Sequence, residues 1–317
     1  MNFACERITQ EGLMFIRLSD LTSGTHADIL PSFGALLHSL VVVTSQGELN
    51  VINNYPNRAG LEKDLSLSYK SSKLSPFPCR IREGRYTWQG EEFEFGKKFK
   101  DGSAIHGLLF DKEFSILSLN SDENEAVLEL QYIYRREDKG YPFDYSCEVT
   151  YRLSESNTLQ ISTRVANLSA MPIPIADGWH PYFTLGDSVD DYTLQFDSIE
   201  ILEFDAQLVP TGKLIKEPGF IHGKNLAGIE LDNCFLLSKN VTQPACRLHN
   251  PKGKLSILFY PDTSYPYLQI YTPRDRQSVA IENLSAAPDS FNNGMGLKVV
   301  SPGTSATFNV SYQVQQH

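Results

Sequence analysis

An isolated carboxylate, Glu282, closes the apolar run 279–281 and is the first candidate for chemistry in this chain. A segment rich in turn-forming residues, 288–296, follows it. This pattern is typical of a buried strand that delivers one acid to a cleft lined by a loop. An ordinary strand-end acid facing solvent gives the same local pattern, so a catalytic role requires partners elsewhere in the chain.

Two histidines are candidate partners. His180 lies in the aromatic stretch 179–183, and aromatic faces of this kind stack on the C–H faces of sugars. Partial burial would lower the histidine pKa toward the range useful for proton transfer. The alternative is an aromatic cluster that includes a histidine by chance. His106 stands in an apolar setting before Gly107, which is more typical of a hydrogen-bonded core histidine than of a catalyst.

Two further charged residues interrupt apolar surroundings. Arg80 follows two prolines and lies between Cys79 and Ile81, so we expect it to be partly buried. A buried guanidinium needs acceptors, which either vicinal hydroxyls, a carboxylate of a ligand or an internal salt bridge can supply. Asp232 opens the apolar run 234–237, where a carboxylate can accept two hydroxyl hydrogen bonds or cap the strand.

Other kinds of chemistry lack their motifs. The chain has no G-x-S-x-G nucleophile elbow, phosphate-binding P-loop, dinucleotide fingerprint or HExxH. The five cysteines are widely spaced without a CxxC, so neither a zinc site nor a disulfide framework is predicted. We therefore expect no metal and no cofactor.

Charge and composition limit the partners. The net charge is −10 and no cluster of lysine or arginine stands out, which argues against nucleic acid and anionic membranes. We find no signal-peptide pattern and no apolar run long enough for a membrane span. With the unpaired cysteines, this favours a cytoplasmic protein.

Period-two alternation of apolar and polar residues dominates the chain. It is clear over residues 126–135, 145–153, 159–165 and 307–314, and turn signals separate the runs. No long amphipathic helix is evident, and residues 54–74 predict only a short helical turn and loop. The expected fold is all-β, with antiparallel sheets packed face to face as one large sandwich domain over residues 1–317.

Taken together, these stretches resemble the aldose 1-epimerase (galactose mutarotase) family. The resemblance runs in one order along nearly the whole chain, and its pieces are Phe33-Gly34-Ala35, Pro78-Cys79-Arg80-Ile81, Gly84-Arg85-Tyr86, His106-Gly107, His180-Pro181-Tyr182-Phe183, Val209-Pro210-Thr211-Gly212, Leu231-Asp232, Gln269-Ile270-Tyr271-Thr272, Ile281-Glu282-Asn283 and Ser301-Pro302-Gly303.

The resemblance implies a β supersandwich and assigns roles to residues. His180 corresponds to the catalytic acid and Glu282 to the catalytic base of the family. The sugar-binding positions correspond to Arg80, His106, Tyr182, Asp232 and Gln269. The family often has asparagine before the arginine, and Cys79 stands there in this chain, which removes one amide donor and acceptor.

The implied activity is interconversion of the α and β anomers of free hexoses such as galactose and glucose, by acid–base opening and closure of the ring. The expected partner is a monosaccharide, and the expected state is a monomer or weak homodimer.

Three alternative functions remain. A hexose-6-phosphate 1-epimerase needs converging cations, for which Arg82, Arg85, Arg274 and Arg276 are available. The others are a non-catalytic carbohydrate-binding protein and a glycoside hydrolase or lyase that uses Glu282 and Asp232 as paired carboxylates.

Overall fold

The computed structural model describes residues 2–198, 200–238 and 244–317. Strands dominate it, as the alternation predicts. In chain order, the strands are β1 Phe3–Gln10, β2 Leu13–Asp20, β3 His26–Leu30, β4 Leu36–Thr44, β5 Gly47–Asn50, β6 Lys73–Leu74, β7 Arg80–Ile81, β8 Arg85–Trp88, β9 Glu91–Glu94, β10 Ala104–Ile105, β11 Ser115–Ser121, β12 Glu125–Arg135, β13 Asp144–Ser154, β14 Thr158–Asn167, β15 Ile173–Ile175, β16 Gly178–Trp179, β17 Tyr182–Phe183, β18 Thr193–Phe196, β19 Glu200–Phe204, β20 Pro210–Lys216, β21 Lys224–Asn225, β22 Asp232–Leu236, β23 Cys246–Asn250, β24 Leu255–Pro261, β25 Tyr267–Tyr271, β26 Val279–Leu284, β27 Lys298–Val300 and β28 Ser305–Gln316.

Helical structure is sparse. The described residues form two α-helices, α1 Arg58–Ser68 and α2 Ser290–Asn293, and three single-turn 3₁₀ helices at Arg82–Gly84, Val189–Asp191 and Pro218–Phe220. In these same ranges, no helix is long and apolar enough to cross a membrane.

Two large antiparallel sheets make up most of the fold. One has the order β11-β12-β13-β14-β28-β24-β23-β18-β21, and the other has the order β20-β19-β22-β25-β26-β16-β6, with β17 paired to β26. A third sheet contains β1 to β5 in sequence. The four alternating runs identified in the sequence form β12, β13, β14 and β28, neighbours in the first sheet, so their prediction is confirmed.

Aromatic side chains join the two large sheets across a shared core. Phe183 of β17 packs against Phe259 of β24 and Tyr312 of β28, with ring centres 4.9 and 5.3 Å apart. Phe196 of β18 contacts Phe235 of β22 at 4.8 Å. These side chains are buried because alternate residues of each strand face the opposing sheet. The predicted all-β sandwich with antiparallel sheets is therefore confirmed.

The helix α1 corrects the expectation for residues 54–74. That segment forms a three-turn helix of 11 residues rather than a short helical turn. Asn57 caps it, because its side chain accepts a hydrogen bond from the Gly60 N–H at 2.8 Å. Only Leu61 and Leu65 are buried along the helix, so the apolar stripe that identifies a helix in sequence is too weak here.

Candidate active site

One cleft of about 410 Å³ collects the seven residues predicted for catalysis and sugar binding. It opens over the eight-stranded sheet, and its size falls in the range of small-molecule sites. The predicted residues that line it are Arg80, His106, His180, Tyr182, Asp232, Gln269 and Glu282. Residues separated by up to about two hundred positions in sequence therefore meet in one place.

Neighbouring central strands place three of these side chains. In the sheet register, Cys234 of β22 lies opposite Gln269 of β25, which lies opposite Glu282 of β26. Asp232 is two residues from Cys234 and so faces the same side of the sheet. The Gln269 Nε2 donates to Asp232 Oδ1 at 2.8 Å. The sheet thus fixes an acid, an amide and a second acid in a row.

His180 completes this row from the short connection between β16 and β17. Its Nε2 lies 3.4 Å from Glu282 Oε1, and both side chains are less than one-tenth exposed. The connection is held in place because Tyr182 of β17 pairs with Ala280 of β26. The two groups are close enough to exchange a proton through a small movement or through a bound hydroxyl.

Burial acts on the two groups in opposite directions. It lowers the pKa of His180 to about 3, because the charged imidazolium loses its hydration. It raises the pKa of Glu282 well above the ordinary value, and the nearby Asp232 carboxylate raises it further. Between these two pKa values the pair carries one proton, which the pKa directions place on Glu282 and which can pass to His180 across the 3.4 Å contact.

His106 presents a donor to the cleft. Its Nδ1 accepts the Cys79 N–H at 3.2 Å, so the proton of the neutral ring is on Nε2. Burial lowers the pKa of His106 well below its ordinary value, as do the neighbouring His180 and Arg80. The ring packs between Tyr69 and His180, with ring centres 4.6 and 4.9 Å away. His106 is both a buried, hydrogen-bonded histidine and a residue of the cleft wall.

Tyr182 supports His180 directly. The two rings are parallel within 1°, with centres 4.9 Å apart. The Tyr182 hydroxyl donates to the Ser68 carbonyl at the end of α1, at 3.2 Å. Stacking and this hydrogen bond fix the plane of the His180 ring, which determines where its nitrogens point.

Arg80 forms the internal salt bridge that was one interpretation of the sequence, and its role in ligand binding stays a prediction. It starts β7 and its Nε forms an ion pair with Asp101 Oδ2 at 3.2 Å, while its side chain remains about a quarter exposed at the cleft. An internal salt bridge therefore orients the guanidinium, and the fork keeps donors available for a ligand.

The segment 288–296 does not line the cleft, so its assignment to the cleft wall is wrong. It lies behind Arg80 instead: the Asp289 N–H donates to the Arg80 carbonyl at 2.7 Å, and Asp289 Oδ1 accepts the Arg82 N–H at 2.9 Å. Phe291 of α2 is buried among the aromatic residues of the core. The turns therefore fix the backbone that carries Arg80.

The C-terminal end of α1 supplies part of the cleft that the sequence did not indicate. Leu67, Ser68, Tyr69 and Lys70 all line it. Tyr69 ends the helix in the left-handed conformation, with φ of 50°, and this turns Lys70 toward the cleft. The polar and aromatic residues that follow Leu67 are the only sequence feature that pointed to a binding role. Without knowing where α1 ends, the sequence could not place these residues at the cleft.

The four arginines considered for a phosphate do not converge on the cleft, and none of them lines it. Arg82 pairs with Asp205, Arg85 with Glu94 and Arg276 with Asp190. Over residues 2–198, 200–238 and 244–317, no group of three histidine, cysteine or acidic side chains is placed to hold a metal ion.

Comparison with known proteins identifies the family. The family model described as aldose 1-epimerase matches residues 17–313. The chain belongs to the aldose 1-epimerase family. The resemblance predicted from the ordered motifs is thereby confirmed, and the cleft can be compared with those of other family members.

Relatives of this aldose 1-epimerase family member share most of its length. An uncharacterized protein of Escherichia coli, YihR, is 27% identical, covering 89% of this chain and 88% of its own. An aldose 1-epimerase of Streptococcus thermophilus is 24% identical, covering 88% of each chain. A galactose mutarotase-like protein from Clostridium acetobutylicum has the same fold, with a TM-score of 0.89, 18% identity and coverage of 100% and 99%. The predicted galactose mutarotase-like fold is confirmed.

Proposed function

We propose that this protein is an aldose 1-epimerase that interconverts the α and β anomers of a free hexose, such as galactose or glucose, within a single catalytic domain. The observation that carries the proposal is the buried contact between His180 and Glu282 at 3.4 Å on the floor of a monosaccharide-sized cleft. Anomer exchange needs one base and one acid on either side of the C1 carbon, and no net oxidation or reduction.

The reaction starts when a sugar enters between the two groups and the shared proton of the pair resides on His180. Glu282 takes the proton of the C1 hydroxyl while His180 donates its proton to the ring oxygen, and the C1–ring oxygen bond breaks. The open chain carries an aldehyde at C1 and a hydroxyl where the ring oxygen was. Rotation about the C1–C2 bond and reversal of both proton transfers close the ring on the other face.

The remaining cleft residues orient the sugar. Asp232 accepts hydroxyl hydrogen bonds and is itself fixed by Gln269. His106 offers its Nε2–H, and Arg80 offers the guanidinium nitrogens that its ion pair with Asp101 leaves free. Tyr182 keeps the His180 ring in plane. Holding the hydroxyls in one arrangement lets the two catalytic groups face C1 and the ring oxygen together.

Polarimetry of freshly dissolved α-glucose and α-galactose tests this function. We expect the protein to accelerate the approach to the equilibrium rotation, and we expect glucose 6-phosphate to be the poorer substrate because the four arginines lie outside the cleft. Tight sugar binding without acceleration would show a non-catalytic carbohydrate-binding protein. Release of a reducing sugar from a glycoside would show a hydrolase.

The pH dependence follows from the shared proton. We expect kcat/KM at about pH 5 to equal or exceed its value at about pH 7, because burial moves the protonation of His180 far below the ordinary histidine range. Activity then falls at higher pH, because the pair loses its single proton once the pH exceeds the raised pKa of Glu282. Rates corrected for spontaneous exchange give the profile, and an acidic limb centred near the ordinary histidine pKa would contradict it.

Cys79 provides a test of hydroxyl recognition. The residue lines the cleft, is buried and has a φ of 53°, a left-handed conformation that asparagine adopts more readily than most residues. We expect Cys79→Asn to lower KM by about fivefold, because the amide adds about one hydrogen bond to the sugar. Cys79→Ser is the matched control and adds no amide. A KM unchanged or raised in Cys79→Asn, with the fold intact, would show that no hydroxyl is within reach.

A further inference from the structure

A buried ion pair that the proposed reaction does not use joins β6 to the residue just before β16. Lys73 Nζ is 2.6 Å from Asp177 Oδ1, and neither side chain has any exposed surface. The Tyr265 hydroxyl donates to the same carboxylate oxygen at 2.6 Å. The Lys73 ammonium also lies over the Trp179 ring, 4.4 Å from its centre.

Stability alone does not account for this pair. Removing two charges from water costs about as much as their attraction returns, and apolar replacements of similar volume are often neutral or stabilising. The second oxygen of Asp177, Oδ2, has no hydrogen-bond partner among the described residues. Burial raises the pKa of Asp177, because the charged carboxylate loses its hydration.

What the pair does provide is a set of bonds between the strands that carry the catalytic residues. From β6, Lys73 Nζ also donates to the Gly178 carbonyl of β16 at 3.1 Å, two residues before His180. The main chain of Asp177, which carries this carboxylate, is bonded in turn to the chain after β26: the Asp177 backbone N–H donates to Ser285 Oγ and the Ser285 N–H donates to the Asp177 backbone carbonyl, both at 2.8 Å. Ser285 lies three residues after Glu282.

The backbone ladder at this junction is short. Strands β6 and β16 have two residues each, and β16 pairs with β26 through Gly178 and Leu284 alone. Backbone hydrogen bonds tie His180 to the segment just before β6: its carbonyl accepts the Ser71 N–H at 2.8 Å and its N–H donates to the Ser72 carbonyl at 3.2 Å. Beside this backbone pairing, the Lys73–Asp177 ion pair adds a side-chain link between β6 and the residue before β16.

We propose that Lys73 and Asp177 are positioning residues that hold His180 and Glu282 at the separation proton transfer requires. The inference rests on the proposed function for its kinetic consequence. Displacement of a reacting group by about 1 Å can cost about 10²-fold in rate. The pair therefore acts through the two catalytic residues and does not contact the sugar.

The test replaces both charges at once, because removal of one partner would leave the other buried without compensation. In Lys73→Met/Asp177→Leu, we expect a folded protein whose kcat falls by about 10–100-fold while KM changes by less than about threefold. The matched control is Arg17→Met/Asp28→Leu, which removes a bidentate ion pair in the five-stranded sheet, away from the cleft. Its kcat should equal that of the wild type.

Two further measurements keep the outcome decisive. Tyr265→Phe removes one hydrogen bond from Asp177 and should lower kcat by about fivefold in a protein that retains both charges. NMR titration of the His180 ring requires no activity, and in the double variant its pKa should move up toward that of an exposed histidine. If anomer exchange is absent in the wild type, the proposed function fails and the titration still decides this inference. A double variant with wild-type kcat, or with an unchanged His180 titration, overturns it.

Discussion

Glu282→Gln is expected to lower kcat for anomer exchange by at least about 10²–10⁴-fold while the protein stays folded. Glutamine keeps the size and shape of the side chain beside His180 but cannot take the proton of the C1 hydroxyl. Polarimetry with a freshly dissolved α-hexose measures the loss. Glu148→Gln is a suitable control, because this carboxylate pairs with Arg164 in the nine-stranded sheet and does not line the cleft. A Glu282→Gln protein with rates near those of the wild type would exclude Glu282 as the base.

The same substitution is expected to stabilise the protein at neutral and alkaline pH. The pKa of Glu282 is raised in the folded state, so the folded form binds the proton more tightly than the unfolded form. That contribution to stability is present at pH below the unfolded pKa and is lost as the pH rises toward the folded pKa. Glutamine never ionises, so the loss does not occur, and the thermal midpoint at about pH 8 should rise by about 2 °C or more. A midpoint that falls instead would show that the carboxylate is favourably solvated.

Phe183→Ala is expected to reduce the free energy of unfolding by about 3–5 kcal/mol, the largest stability loss predicted for a single uncharged side chain here. Phe183 has no exposed surface and contacts Phe259 and Tyr312 across the two large sheets. Alanine at this position leaves a cavity where the sheets meet. Urea unfolding measures the change in the free energy.

Phe204→Ala is the matched control for that experiment. Phe204 is half-buried at the end of β19, and it takes no part in the aromatic contacts described above between the two large sheets. We expect it to cost clearly less. Equal losses for the two variants would mean that the structure around position 183 relaxes and leaves no cavity. The sheets would then be joined mainly by other side chains.

The sequence alone was sufficient for the all-β class and for seven of the residues that line the cleft. Alternation makes the strand assignment direct, because a two-residue period places one face in the core wherever a sheet is half-exposed. The seven candidate residues were found because their short motifs occur in one order, although Gln269 and Tyr182 carry no chemical signal of their own. Their roles in catalysis and binding remain predictions.

The parts that could not be predicted depend on contacts between distant residues. The register that sets Gln269 opposite Glu282 is fixed by pairing of whole strands, which no local pattern encodes. The helix α1 was predicted only as a short helical turn, because only two of its side chains are buried. The turn-rich segment 288–296 was misplaced because its polar residues bond to the backbone of the strand that carries Arg80, on the side away from the cleft.

The position of α1 at the cleft edge has an evolutionary consequence. The two residues for which we propose proton transfer belong to the connections and central strands from residue 180 onward, whereas residues 67–70 reach the same cleft from a separate, earlier segment of chain. In the proposed epimerase, we expect side-chain substitutions among residues 67–70 to change which sugar fits more than they change the proton transfers proposed for Glu282 and His180. Selection, or a designer who exchanges these side chains between related proteins, would then alter substrate preference while the Ser68 carbonyl keeps its bond to Tyr182.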